Sequence, residues 1–190
     1  MNSASSSTMT DPGMVRIASI KLSKELKDLL KNPNPSFSVG LIDDDLFKWN
    51  ITLFGPADTP YDGGVFQAVM NFPTGYPYAP PTLTFKTEMW HPNVYKDGRV
   101  CISILHTAGD DPHGYEDAEE RWSPAQTVET ILISVLAMLS SPNDESPANI
   151  DAALEIRNDP KVFRRNARRC AERSTEVPCK DLGKGKSISH

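Results

Sequence analysis

FKWNITLFGPADTPYDGGVFQAVMNF, residues 47–72, decides the fold. Two segments rich in aromatic and β-branched residues, 47–54 and 65–72, flank a connection that ends in Gly63-Gly64. Such segments bounded by turn residues read as strands. The connection is too short for a crossover helix, so the two strands run antiparallel. Working outward, residues 37–42 and 82–86 have the same character. An Asp-rich turn and the run Tyr76-Pro77-Tyr78-Ala79-Pro80-Pro81 set them off from the central pair. A four-stranded antiparallel meander is the simplest arrangement. The 76–81 connector is stiff, because proline fixes φ and Pro80 disfavours a helical Ala79.

Helical patterns lie on both sides. In residues 14–31, Ile17, Ile20, Leu22, Leu26, Leu29 and Leu30 recur at helical spacing, and Asn32-Pro33 stops the run. Ser123-Pro124-Ala125-Gln126 reads as a helix start, with Ser123 as cap, Pro124 in the first turn and Gln126 closing a capping box. That helix continues through Leu139 with Val128, Ile131, Leu132, Val135, Leu136 and Leu139 on a broad apolar face. Residues 148–158 and 161–174 read as two more helices, separated by Asp159-Pro160. The fold class is therefore α+β: a four-stranded antiparallel meander flanked by an N-terminal helix, a central helix and two C-terminal helices. Residues 1–13 read as a disordered Ser/Thr-rich extension, 14–174 as one domain, and 175–190 as a flexible basic tail.

Composition narrows the function classes. The chain has 190 residues, 38% hydrophobic and 24% charged, with a formal net charge of −5. That balance argues against general nucleic-acid binding. Cys101, Cys170 and Cys179 show neither disulfide nor metal spacing, so a reducing compartment is expected. The N-terminus has no apolar core for a signal peptide, and no apolar run approaches the ~20 residues of a membrane span. Arg164, Arg165, Arg168, Arg169 and Arg173 form a basic stripe on the last helix that reads as a solvated outer face.

The chemistry concentrates in residues 91–106, HPNVYKDGRVCISILH. A His-Pro-Asn bend and a Lys-Asp-Gly turn precede the lone thiol of Cys101. A free thiol has a pKa near 8.5, so roughly 3% is thiolate at pH 7. Asn93 carries an amide donor that suits an oxyanion, or else only stabilises the turn. His91 beside Pro92 reads as a brace of the bend. His106 lies five residues past Cys101. In an extended segment an odd offset puts it on the opposite face, which disfavours a Cys/His pair. His91, Cys101, His106 and His113 fit no standard zinc spacing, so no metal is expected.

The His-Pro-Asn triplet, the Cys at this spacing and Trp122-Ser123-Pro124 beyond a polar insertion resemble the active-site segment of ubiquitin-conjugating enzymes. The likeness spans about residues 14–174. The insertion at 107–120 resembles the acidic-loop subgroup, which includes members linked to degradation at the endoplasmic reticulum. The resemblance implies a carrier that accepts ubiquitin from an activating enzyme as a thioester on Cys101. It then passes ubiquitin, with a RING-type ligase, to lysine of a substrate protein or of ubiquitin. No cofactor is implied, since ATP is used by the activating enzyme. Two alternatives stay open: a catalytically silent ubiquitin-binding variant, which would lack the cysteine, and a carrier of a ubiquitin-like modifier.

The resemblance also assigns surfaces. Lys21 and Lys24 of the first helix, Tyr78 of the proline loop, and Ser123 and Pro124 are implied to meet the activating enzyme and ligase. From the residues alone Tyr78 reads as a packed core aromatic rather than an exposed anchor. Asp110 and Asp111 in the insertion, and Asp144 and Glu145 in the turn-rich 141–147 loop, are candidates to orient the incoming lysine. Ser146-Pro147 stands where relatives commonly carry an aspartate before proline, so the insertion is expected to take over part of that role. The expected location is the cytoplasm, with the nucleus and the endoplasmic reticulum surface as further options.

Overall fold

Four strands follow one another edge to edge in the order β1 (Phe37–Ile42), β2 (Asp45–Phe54), β3 (Val65–Asn71) and β4 (Thr82–Phe85), each antiparallel to its neighbour. The computed structural model describes residues 11–107, 121–143 and 146–176. Asp43 and Asp44 make the β1–β2 turn with φ of 53° and 58°. Two left-handed residues match the twist of a tight hairpin, and aspartate tolerates that region. The meander expected from residues 37–86 is present, and four helices complete the α+β architecture.

One face of the sheet is the core. Trp49, Ile51 and Leu53 alternate along β2 and lie opposite Met70, Ala68 and Phe66 of β3. Leu83 and Phe85 of β4 continue that layer, and all eight side chains are buried. Helix α1 (Pro12–Lys31) packs on β1 and β2, with Ala18, Leu22, Glu25 and Leu29 turned inward. Helix α2 (Val128–Ser140) adds six buried apolar residues to the same core. Helices α3 (Ile150–Asn158) and α4 (Pro160–Glu176) pack on each other, and α4 also meets β3. Each large side chain so buried is worth about 1.5–3 kcal/mol relative to exposure.

All four helix starts differ from the sequence expectation, α3 by two residues at Ile150 and α4 by one at Pro160. Helix α1 begins at Pro12 because Asp11 caps it, accepting from the Gly13 amide at 2.9 Å. Helix α2 begins at Val128, not at Ser123. Thr127 is its cap and forms a capping box with Thr130, while Ser123–Gln126 is a turn closed by Gln126 N–H on the Ser123 carbonyl. Ile17, Ile20 and Leu30, counted among the helical apolar positions of α1, are exposed. The inward stripe runs through 18, 22, 25 and 29, so these three sit beside it.

Among the described residues no helix is long and apolar enough to cross a membrane, and no cluster of three or more metal-ligating side chains occurs.

Candidate active site

The bend at 91–93 is built from inside the protein. His91 is fully buried. Its Nε2 faces the Met138 carbonyl of α2 at 3.0 Å, and its Nδ1 accepts from the Asn93 amide at 2.9 Å. Those partners fix the neutral tautomer with the proton on Nε2. Burial pushes its pKa down to about 4, against a smaller upward pull from the Met138 carbonyl. The Pro92 carbonyl accepts from the Asn149 amide at 2.8 Å, tying the bend to the start of α3.

Asn93 is buried and locked in a reciprocal pair. Its Nδ2 donates to the Asn143 carbonyl at 2.8 Å, and its Oδ1 accepts from the Asn143 amide at 2.9 Å. Its own carbonyl accepts from the Cys101 amide at 2.9 Å. Nδ2 carries two hydrogens, and one is spent on Asn143.

Between them the chain makes a narrow excursion. Gly98 N–H donates to the Tyr95 carbonyl and Tyr95 N–H to the Arg99 carbonyl, each at 2.9 Å. The Gly98 carbonyl accepts from Phe85 and the Leu83 carbonyl from Val100, which lays the returning limb along β4. Gly98 has φ of +89°, and a Cβ there would stand 2.2 Å from the Phe85 carbonyl oxygen. Only glycine allows this approach.

Cys101 emerges half-exposed at the end of that limb. Tyr95 Oη lies 3.9 Å from its sulfur and His106 Nε2 lies 3.5 Å from it. The contact with the cysteine raises the Tyr95 hydroxyl above its ordinary pKa. The Arg99 guanidinium stacks over the Tyr95 ring at 4.8 Å and pairs with Asp97 at 2.7 Å.

The position of His106 corrects the sequence reading, which put it on the face away from Cys101. The segment is not extended throughout. A 3₁₀ turn at Ser103–Leu105 brings the fifth residue back beside the first. Tyr95, Asn143 and Asn149 were not among the residues the sequence singled out for the site, and His106 was weighed and set aside. The one available signal was the short Ser-Ile-Leu stretch before a histidine, too short to mark a turn by periodicity.

Of the remaining candidates, Ser146 is exposed, whereas Asp110, Asp111, Asp144 and Glu145 lie outside the described residues. Lys21 and Pro124 meet: Nζ donates to the Pro124 carbonyl at 3.0 Å. Lys21 also lies 3.5 Å from Glu25. Lys24 is exposed, and with Ile17, Ile20 and Lys21 it lines a shallow groove of about 500 Å³. Tyr78 is 60% exposed. Its neighbour Pro77 accepts from Trp122 Nε1 at 2.8 Å, which joins the proline loop to the segment carrying the half-buried Ser123.

A family model described as ubiquitin-conjugating enzyme matches residues 21–171. Ubiquitin-conjugating enzyme E2 14 of Arabidopsis thaliana is 58% identical over 161 residues, covering 84% of this chain and 96% of the relative. Ubiquitin-conjugating enzyme E2 7 of the same plant is 55% identical over 165 residues, covering 86% and 99%. Ubiquitin-conjugating enzyme E2 15 of Schizosaccharomyces pombe is 58% identical over 157 residues, covering 82% and 94%. With the meander, the flanking helices and the match over most of its length, the chain belongs to the ubiquitin-conjugating enzymes, transferases that carry ubiquitin from an activating enzyme toward lysine.

Proposed function

We propose that Cys101 is the thiol that carries ubiquitin. The observation that supports this best is the partly exposed position of Cys101 at the end of a segment tied to the buried Asn93. The thiolate attacks the carbonyl carbon of the activating enzyme's ubiquitin thioester, and that enzyme's thiolate leaves. A lysine amine then attacks the new thioester and Cys101 departs. A lysine of pKa ~10.4 is neutral in only about one molecule in 10³ to 10⁴ at pH 7, so the second step needs help. The second N–H of Asn93 Nδ2 serves the oxyanion while the first braces Asn143. Losing such a donor costs ~10²–10³ in rate.

We read the chain as a member of the acidic-loop subgroup, a reading that the carboxylates of 107–120 support. Asp110 and Asp111, with Asp144 and Glu145, orient the lysine where Ser146 replaces the usual aspartate. Residues 14–174 carry the catalytic domain, which α1 and α4 extend to 12–176, and the residues beyond are appended tails. Lys21, Lys24, Tyr78, Ser123 and Pro124 form the face for the activating enzyme and a RING-type ligase. The chain works in the cytoplasm, with nuclear presence or recruitment to the endoplasmic reticulum surface as further options.

The test is incubation with activating enzyme, ATP and ubiquitin. A reductant-sensitive adduct, absent from Cys101→Ala, is expected. An adduct that persists in Cys101→Ala rules out Cys101 as the carrier. Neutralising Asp110 and Asp111 should slow lysine discharge while loading continues; equal loss of both steps would remove them from the transfer step.

A further inference from the structure

We propose that His106 is the proton acceptor for Cys101, a catalytic residue of the loading step. This rests on Cys101 being the carrier thiol. Nε2 lies 3.5 Å from Sγ, within hydrogen-bonding range for sulfur.

The imidazole sits on a fixed arm. Ile102 is extended, with φ −140° and ψ 150°. The turn then closes with Leu105 N–H on the Ile102 carbonyl at 3.0 Å and His106 N–H on the Ser103 carbonyl at 2.9 Å. Ile104 is buried and anchors the turn in the core. On the far side, Trp122 N–H donates to the His106 carbonyl at 3.1 Å. Trp122 is itself held by the Pro77 carbonyl and lies against the Tyr76 ring, centroids 5.7 Å apart. The two ends of the 107–121 segment are thus clamped together, and the clamp includes the residue that touches the sulfur.

Around the sulfur, Tyr95 presents a hydroxyl at 3.9 Å, and Arg99 stacks on Tyr95 while paired to Asp97. The tyrosine is a donor at neutral pH, and the Arg99–Asp97 pair offsets its own charge. Of these neighbours the imidazole alone has a ring nitrogen that can either accept or donate a proton.

In loading, Nε2 takes the thiol proton as sulfur bonds to the carbonyl carbon of the incoming thioester. The carbon–sulfur bond to the activating enzyme breaks, and the departing thiolate takes the proton back. No net proton or electron is exchanged. In transfer the lysine nitrogen bonds to the thioester carbon and gives up a proton, the carbon–sulfur bond breaks, and His106 Nε2 relays that proton to the departing Cys101 sulfur.

The experiment follows alkylation of Cys101 in the full chain by iodoacetamide from pH 5.5 to 9.5, read at the Cys101 peptide, beside single-turnover loading. In His106→Gln the alkylation profile should move up by about one pH unit. Loading at pH 7 should fall about three- to tenfold, since a less ionised thiol is partly offset by its greater nucleophilicity. The gap should close near pH 9. Superimposable profiles, or a deficit equal at every pH, would overturn the proposal. A second measurement avoids the variant: the His106 ring is titrated by NMR in wild type and in Cys101→Ser. Loss of the sulfur should move its midpoint by about half a unit or more, and an unchanged midpoint would also overturn the proposal. Absence of any adduct on wild-type Cys101 would instead defeat the carrier assignment itself.

Discussion

His91 spends both ring nitrogens inside the protein, and that has a consequence in pH. Its pKa falls from the ordinary 6.5 to about 4 on folding, chiefly through burial. The unfolded chain therefore binds a proton below pH 6.5 that the folded chain refuses until about pH 4. Stability is full above pH 6.5 and declines as pH falls through that window, by ~3 kcal/mol in all. Urea denaturation of wild type and His91→Gln across pH 4 to 7 checks it. The variant should be less stable at pH 7 and should lack most of this slope. Gly98 gives a second prediction at this scale. Gly98→Ala must place a Cβ against the Phe85 carbonyl at positive φ, so a loss of about 2–4 kcal/mol is expected in the same assay. At this scale the sequence was uneven. The brace role of His91 could be read beside Pro92, because an imidazole next to a tight bend has few other uses. His106 could not, since alternation assumes an extended strand and one 3₁₀ turn defeats it.

The strands were legible because period, turn residues and short spacing all agreed, and a meander needs nothing from outside the segment. The start of α2 was not. Ser123 and Thr127 are both plausible caps, and tertiary contacts decide between them. The Val128 N–H that opens the helix donates to Glu25 Oε2 at 2.8 Å, while Pro124 is held back by Lys21. Glu25 is a buried acid on the inward stripe of α1, and its other oxygen accepts from Tyr76 Oη at 2.8 Å. Desolvation of Tyr76, with the nearby Glu25 charge, pushes that hydroxyl's pKa far up, so it stays a donor. One carboxylate thus joins α1, the proline connector and the first turn of α2. Glu25→Ala leaves two buried donors without an acceptor and should cost about 2–5 kcal/mol. Glu25→Gln keeps one acceptor oxygen and should cost less. Denaturant midpoints rank the three proteins, and an alanine variant as stable as wild type would contradict this account of the junction.

Across the whole molecule, the proposed partner face and the proposed nucleophile share a continuous set of contacts. Lys21 and Glu25 reach Tyr76, Tyr76 lies against Trp122, and Trp122 holds His106 beside Cys101. The sequence could nominate Lys21, Lys24, Tyr78 and Pro124 separately. It could not tell which of them also carries structure, because that depends on partners far away along the chain, as with Lys21 on Pro124, 103 residues apart. The two lysines therefore separate by experiment. Lys24 is exposed, and its charge reversal should leave stability within about 0.5 kcal/mol. Lys21→Glu breaks the bond to the Pro124 carbonyl and sets like charge beside Glu25, so it should lose about 1 kcal/mol or more. In single-turnover discharge, both reversals should weaken ligase-stimulated transfer more than unstimulated transfer. Denaturation then distinguishes them: equal stabilities would mean that the Lys21–Pro124 contact holds nothing in place, and that the 123–126 turn stands without α1.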